Sequence, residues 1–465
     1  MNKSYDAIVI GTGQASPFLA IRLTKAGRKV AIIERHLFGG TCVNTGCIPT
    51  KTLVASARVA YMARRAAEFG VDSGDVSVDM KRVKARKDEI QKPSQEGAET
   101  RLREQPNCDV YKGQARFESP RVVAVNDDRL TAEQIFINVG GRAIIPQLPG
   151  VEHISYFTNS SMMHVDFLPE HLIVVGGSYV GLEFGQMYRR FGSKVTILQR
   201  NSRLVPREDE DISDAIKGIV EAEGITVRLN ATCINFEKRA DQIVAGVDCV
   251  HDPTPTTGTH VLLAVGRRPN TDDLGLDKAG VEQDKHGYII VDDHLRTNVA
   301  GLWALGDCNG RGGFTHTSYN DFEIVAANLL DNDDRKLGDR IPAYNLYIDP
   351  PLGRAGMTER EVRQSGRKAL IGKYMMSSVG RAIEKSETQG FMKVMVDAET
   401  KRILGAAVLG VGGDEIIHSI LDVMYAKAPY TVISHAMHIH PTVSELIPTM
   451  LQDLKPLSAG DAIQS

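Results

Sequence analysis

The chain of 465 residues is short of several things, and each shortage excludes a class of protein. No apolar run approaches the roughly 18 residues a membrane helix needs. The opening MNKSYDAIVIG enters an apolar strand at once and shows no cleavable signal pattern. No membrane partner is expected, and a cytoplasmic home is the simplest reading. Charge of one sign is also scarce. Lys and Arg number 55 against 58 Asp and Glu, a net charge of -3, which leaves no basic footprint for nucleic acid. Cysteine is sparse, at 6 in the whole chain, too few for a disulfide framework at this length. Cys108, Cys233, Cys249 and Cys308 stand singly and read as ordinary thiols. After Cys308 there is none.

The length allows two to four domains of about 100–200 residues each. The first is legible in YDAIVIGTGQASPFLAIRLTKAGRKVAIIER. Ala7 to Ile10 is a short apolar run, as in a buried parallel strand. Gly11 and Gly13 let the backbone turn sharply beside a pyrophosphate, and the next helix aims its N-terminus at the phosphates. A second strand, Val30 to Ile33, ends in Glu34, placed to hydrogen-bond a ribose hydroxyl. The third glycine of the G-x-G-x-x-G fingerprint is Ser16, small enough for close packing. Pro17 suits the first helical turn.

HLIVVGGSYVGLEFGQMYRRFGSKVTILQR repeats the layout. Leu172 to Val175 and Val195 to Leu198 are its strands, and Gly176, Ser178 and Gly181 fill the fingerprint positions. In place of a terminal acid stand Gln199 and Arg200, with Arg203 and Arg207 close behind. Losing the acid and gaining arginine suits a ribose 2′-phosphate, hence NADPH over NADH. Solvent-facing arginines are the plainer alternative.

Between the two folds, IFINVGGRAIIPQLPG and VLLAVGRRPNT look alike: an apolar strand, then glycine and arginine, then proline. They read as strands leaving one domain for the next, the second through Gly266. The strand Leu302 to Leu305 ends at Gly306-Asp307, a turn that can place a carboxylate near a ligand hydroxyl. From about Ile341 the character changes to α+β. FMKVMVDAETKRILGAAVLG reads as a hairpin with alternating faces, and SAGDAIQS as a loose tail. The expected fold class is α/β, with two Rossmann-type dinucleotide-binding domains and a C-terminal α+β dimerisation domain. The expected divisions are 1-147 with 270-340, 148-269, and 341-465.

Cys42 and Cys47 lie in GGTCVNTGCIPTK. By spacing alone they could be metal ligands, structural thiols or a redox pair. Five features then stand in order: a nucleotide fold, this pair, a second nucleotide fold, the Gly-Asp turn, and HPT-x-x-E near the C-terminus. Together they resemble the flavin-dependent pyridine nucleotide–disulfide oxidoreductases over essentially the whole chain. The resemblance implies a redox disulfide, with Cys42 exchanging with substrate and Cys47 a thiolate against the flavin. A helix starting near Pro49 would stabilise that thiolate.

It also implies FAD in the first fold, held by Gly11, Gly13, Glu34, Gly40, Thr41 and Asp307, with Lys51 near the ring and paired to Glu183. Gly176, Tyr179, Gly181, Arg200, Arg207 and Gly266 would serve the nicotinamide nucleotide, Tyr179 as a gate or as plain core packing. His440 and Glu445 would form an acid–base dyad given by the other subunit of a homodimer. His435 and His438 read as structural, and His316 as a residue of unassigned role. No resident metal is expected.

The member of the family is harder to read. GGTCVNTGCIPTKTLV and FTHTSYNDFEIVAANLL look closest to mercuric-reductase-like proteins. They also resemble bacterial flavoproteins tied to reactive-chlorine resistance, which reduce metal ions such as copper(II). The tail lacks the cysteine pair of mercuric reductases, and no N-terminal metal-binding domain is expected. The expectation is an NAD(P)H oxidoreductase passing electrons through FAD and the Cys42–Cys47 disulfide to a disulfide, a metal ion or another small acceptor. Dihydrolipoyl dehydrogenase is the alternative, although Gln199-Arg200 departs from its usual acid. A flavin-binding redox sensor without turnover is the non-enzymatic one.

Overall fold

A computed structural model describes residues 1–248 and 254–457. Cys249 and the expected tail, 458–465, lie outside the described residues. The first sheet is built on Asn2–Ile10, parallel to Val30–Glu34 on one side and to Asp128–Ile137 on the other. Its apolar run is continuous because both faces are covered. Ile8, Ile10, Ala31 and Ile33 feed one core, while Ala7, Val9, Val30 and Ile32 feed another. Leu302–Ala304 returns to this sheet beside Asp128–Ile137, which carries Asp307 to the mouth of the first glycine loop.

The second sheet is wholly parallel: Thr226–Arg228, Lys194–Leu198, His171–Val175, His260–Leu263 and Tyr156–Phe157. The two look-alike crossings pair with each other. Gly141–Ala143 runs antiparallel to Arg267–Pro269, with Arg268 opposite Arg142.

The C-terminal sheet is antiparallel, and the helix Gly413–Tyr425 packs on it. Its hairpin, Phe391–Asp397 with Ile403–Leu409, forms as expected, but the alternation does not. All seven residues of Phe391–Asp397 are buried. The strand is central, and the buried Lys393 meets Asp211 at 2.7 Å, buried Asp209 at 3.0 Å and Glu359 at 3.1 Å instead of water. Among the described residues, no helix is long and apolar enough to cross a membrane.

Candidate functional site

A cleft of about 1840 Å³ runs from the first glycine loop, past Cys42 and Cys47, to the second. It exceeds the roughly 300–1,000 Å³ of an ordinary ligand pocket. Among the helices that start at it are those beginning at Ser16, Cys47 and Tyr179, and these three have no side-chain hydrogen bond at the N-cap and no acid in the first turn. Away from the cleft, Asp79 and Thr358 cap their helices in the ordinary way. Three positive dipole ends therefore face one space, as suits an anionic dinucleotide.

The first loop is held from behind by Asn138. Gly11 has φ +92, and a Cβ there would run into the Asn138 carbonyl. Ser16, in the third fingerprint place, donates to Asn138 Oδ1 at 3.0 Å, and Asn138 Nδ2 donates to the Leu305 carbonyl at 2.7 Å. The serine thus adds a bond that glycine could not make. Glu34 accepts from Thr12 N at 3.0 Å, from Thr12 Oγ1 at 2.6 Å and from His36 N at 2.9 Å, and it lines the cleft. Thr41 and Asp307 line it too, with Arg267 at 3.4 Å and 3.5 Å respectively.

The helix bearing the second cysteine begins at Cys47 itself, two residues before the expected Pro49, so the sulfur sits at the dipole end. Cys42 lies on the short helix Gly40–Asn44, and both are thiols here. Hydrogen bonding from Cys42 lowers the Cys47 thiol to about 6; Thr315 Oγ1 at 3.0 Å and the Lys51 charge add to this against the opposing effect of burial. The same bond, and then burial, push the Cys42 thiol far up. The pair titrates as a unit, with one proton resting on Cys42.

Lys51 stands one helical turn after Cys47 and meets Glu183 at 2.9 and 3.1 Å. Tyr347 N donates to Glu183 at 3.1 Å, and the Tyr347 ring lies 4.6 Å from the ammonium. Sequence reasoning named Lys51 and Glu183 but missed Thr315, Asn138, Arg267 and Tyr347. No periodicity or charge pattern marks these four.

At the second loop, Gly176, Tyr179, Arg200, Arg207 and Gly266 all line the cleft. Gly181 does not: a Cβ there would strike the Gly176 carbonyl, so its work is close packing of helix on loop. Gln199 accepts from Gly177 N at 3.1 Å and donates to the Arg203 carbonyl at 2.9 Å, bracing the loop from within. Arg203 turns away to Glu210 at 2.9 Å. His316 stacks on Phe314 and donates through Nε2 to the Ala343 carbonyl at 2.7 Å.

His440 and Glu445 do pair, with Nδ1 at 3.1 Å from both carboxylate oxygens. The carboxylate accepts, so Nδ1 carries the hydrogen and Nε2 is left to take a proton. The dyad is not in the cleft. The imidazole is 82% exposed, beside Met437 at 98% and Ile439 at 81%. Within one chain it is not brought to Cys42.

Comparison with known proteins agrees with this architecture. Residues 5–321 match the family described as pyridine nucleotide-disulphide oxidoreductase, and 342–451 match its dimerisation domain. The chain is 36% identical over 455 residues to the probable pyridine nucleotide-disulfide oxidoreductase RclA of Escherichia coli K12, covering 96% of this chain and 98% of the relative. It is 28% identical to the mercuric reductase of Bacillus cereus, over 94% of this chain and 71% of that protein. A solved structure, the Cu(II) complex of the HOCl-induced flavoprotein disulfide reductase RclA from Escherichia coli, superposes with a TM-score of 0.88 at 34% identity, covering 97% and 99% of the two chains. The chain belongs to the pyridine nucleotide–disulphide oxidoreductases and is an NAD(P)H-dependent flavoprotein disulfide oxidoreductase.

Proposed function

We propose that this enzyme takes electrons from NADPH and delivers them through the Cys42–Cys47 disulfide to a small acceptor, a metal ion such as copper(II) being favoured over lipoamide. The observation that carries the reading is geometric: Cys42 and Cys47 line one cleft with the Lys51–Glu183 pair, and Cys47 sits at a helix start 3.0 Å from Thr315 Oγ1. The residues that would hold FAD are Gly11, Gly13, Glu34, Gly40, Thr41 and Asp307, and their uncapped helix suits its pyrophosphate. When bound, FAD relays electron pairs between nicotinamide and the cysteines. Lys51, fixed by Glu183, keeps a cation where negative charge collects.

Cys47 is held as the thiolate by its helix start, Cys42 and Thr315. Cys42, the other thiol, exchanges with the acceptor. Its proton goes to Nε2 of the partner subunit's His440, oriented by the partner subunit's Glu445. The exposed dyad with its bare Met437 and Ile439, together with the dimerisation-domain match, supports a homodimer with shared sites. The domains then divide as 1-147 with 270-340 for FAD, 148-269 for the nicotinamide nucleotide, and 341-465 for the dimer. The net charge, and the lack of a spanning helix among the described residues, support a cytoplasmic setting without nucleic acid or membrane.

Arg200 and Arg207 at the cleft support NADPH, since Gln199 spends both polar ends on the loop. The Cu(II) complex of the similar RclA structure supports a metal-ion acceptor. A disulfide acceptor is the second reading, favoured by the same cysteine pair.

The test is anaerobic reduction by NADPH and by NADH, then turnover with Cu(II), Hg(II), oxidised glutathione, lipoamide and a quinone. NADPH-driven metal turnover with lipoamide inert is expected. NADH-driven lipoamide turnover would make this a dihydrolipoyl dehydrogenase. A flavin that neither nucleotide reduces would leave a redox sensor.

A further inference from the structure

We propose that Glu208 is a positioning residue, a latch that holds Tyr179 across the path from the second glycine loop to Lys51. The inference rests on the nucleotide seat proposed above and deepens it.

Tyr179 opens the helix Tyr179–Phe191, and Glu183 follows one turn later on the same face. Gly176, Tyr179, Lys51 and Glu183 all line the cleft. Burial, and after it the neighbouring Tyr344 and Glu208, keep the phenol protonated, so it acts as a donor. It donates to Glu208 Oε1 at 3.3 Å. The same oxygen accepts from Tyr344 at 2.7 Å. One carboxylate oxygen thus serves a short, firm bond and a long, weak one. The short bond is the anchor and the long one is the part that releases.

The backing of Glu208 is unusual. Its side chain is fully buried, and among the described residues Oε2 has no hydrogen-bond partner. The nearest cation is Arg354, 3.9 Å away and also fully buried; its Nη1 lies nearer Asp209, at 3.6 Å, and among the described residues none of its side-chain nitrogens makes a hydrogen bond. Tyr344 and Arg354 face each other on adjacent strands, so the C-terminal sheet presents both to Glu208. A buried ion pair this loose adds little stability, because desolvation costs as much as the attraction returns. Positioning explains it better. The arginine charge, shared between Glu208 and Asp209, faces the carboxylate without satisfying Oε2, and Oε1 is given to the phenols. Phe314 completes the frame: it stacks on Tyr344 at 5.4 Å and meets the Tyr179 ring edge at 6.0 Å. Glu208 directly follows Arg207, so phosphate recognition and the latch share one loop.

A nicotinamide must displace Tyr179 and break the 3.3 Å bond, whereas the adenosine half need not. The test titrates NADP+ and its nicotinamide-free half, 2′,5′-ADP, into the oxidised holoenzyme; NAD+ and ADP replace them if that is the nucleotide bound. Tyr179→Phe keeps the ring and removes the bond. Its Kd for NADP+ should fall about three- to tenfold, the worth of one net hydrogen bond, with 2′,5′-ADP unmoved. Glu208→Gln should tighten NADP+ binding alone and add nothing in the Tyr179→Phe background. Equal tightening of both ligands, an unchanged Kd in Tyr179→Phe, or a full Glu208→Gln effect in both backgrounds would each overturn the latch. Should Glu208→Gln not fold, the Tyr179→Phe comparison decides alone. If the wild-type holoenzyme bound neither nucleotide, the seat would fall, and the latch with it.

Discussion

Removing the Thr315 hydroxyl should raise the pKa of the Cys47 thiol by about one unit. Thr315 Oγ1 lies 3.0 Å from Cys47 Sγ, and the hydroxyl donates when the sulfur is a thiolate. A hydrogen bond to a charged acceptor is worth about 1.5–3 kcal/mol. Sulfur is a weak acceptor and Cys47 is not fully buried, so about 1.4 kcal/mol is the reasonable share, or one pKa unit. Thr315→Val keeps the shape and the helix start, so the dipole is retained. The midpoint should move from about 6 to roughly 7.

The assay is the ultraviolet thiolate absorbance of the reduced enzyme, followed from about pH 4 to about pH 10. Stability should follow with a definite sign. The folded value lies below the thiol's ordinary 9.0, so the stabilising contribution is complete above 9.0 and is lost as pH falls through about 6. Thr315→Val moves that lower edge up and shrinks the contribution. A midpoint still at about 6 would refute the reasoning and assign the depression to Cys42, Lys51 and the helix alone.

Cys42→Ser should keep the long-wavelength thiolate–flavin absorbance and lose acceptor reduction, whereas Cys47→Ser should lose the absorbance; identical spectra would overturn the roles. Mixing inactive Cys42→Ser with inactive His440→Gln, after subunit exchange, should restore about a quarter of wild-type activity, since half the dimers then carry one intact site. No recovery would place both groups in one subunit. Arg200→Ala combined with Arg207→Ala should raise KM for NADPH about tenfold relative to NADH, the worth of charge-assisted phosphate contacts. An equal effect on both nucleotides would mean that the arginines do not read the 2′-phosphate.

Much of the site is local in the chain, and so is legible in the order of its residues. The strand, glycine turn and helix of each nucleotide fold are consecutive, and the geometry that Gly11 and Gly176 adopt is a property of their own backbone. Cys42, Cys47 and Lys51 fall within ten residues, and His440 with Glu445 within six. The hairpin Phe391–Asp397 with Ile403–Leu409 is legible as a hairpin. Its burial is not, because whether Lys393 faces water depends on what packs over the strand.

The two dinucleotide folds, the cysteine pair, the histidine–glutamate pair and the family are all legible along the chain, because each is written in short-range spacing of residue types. Packing alone brings the uncapped helix starts at Ser16, Cys47 and Tyr179 to one cleft, sets Thr315 against Cys47 across 268 positions of chain, and gathers Tyr179, Tyr344 and Arg354 about Glu208. It also placed His440 outside the cleft of its own chain. Hydrogen bonds and ion pairs between distant segments leave no periodicity behind; they exist only once packing has fixed where the segments meet.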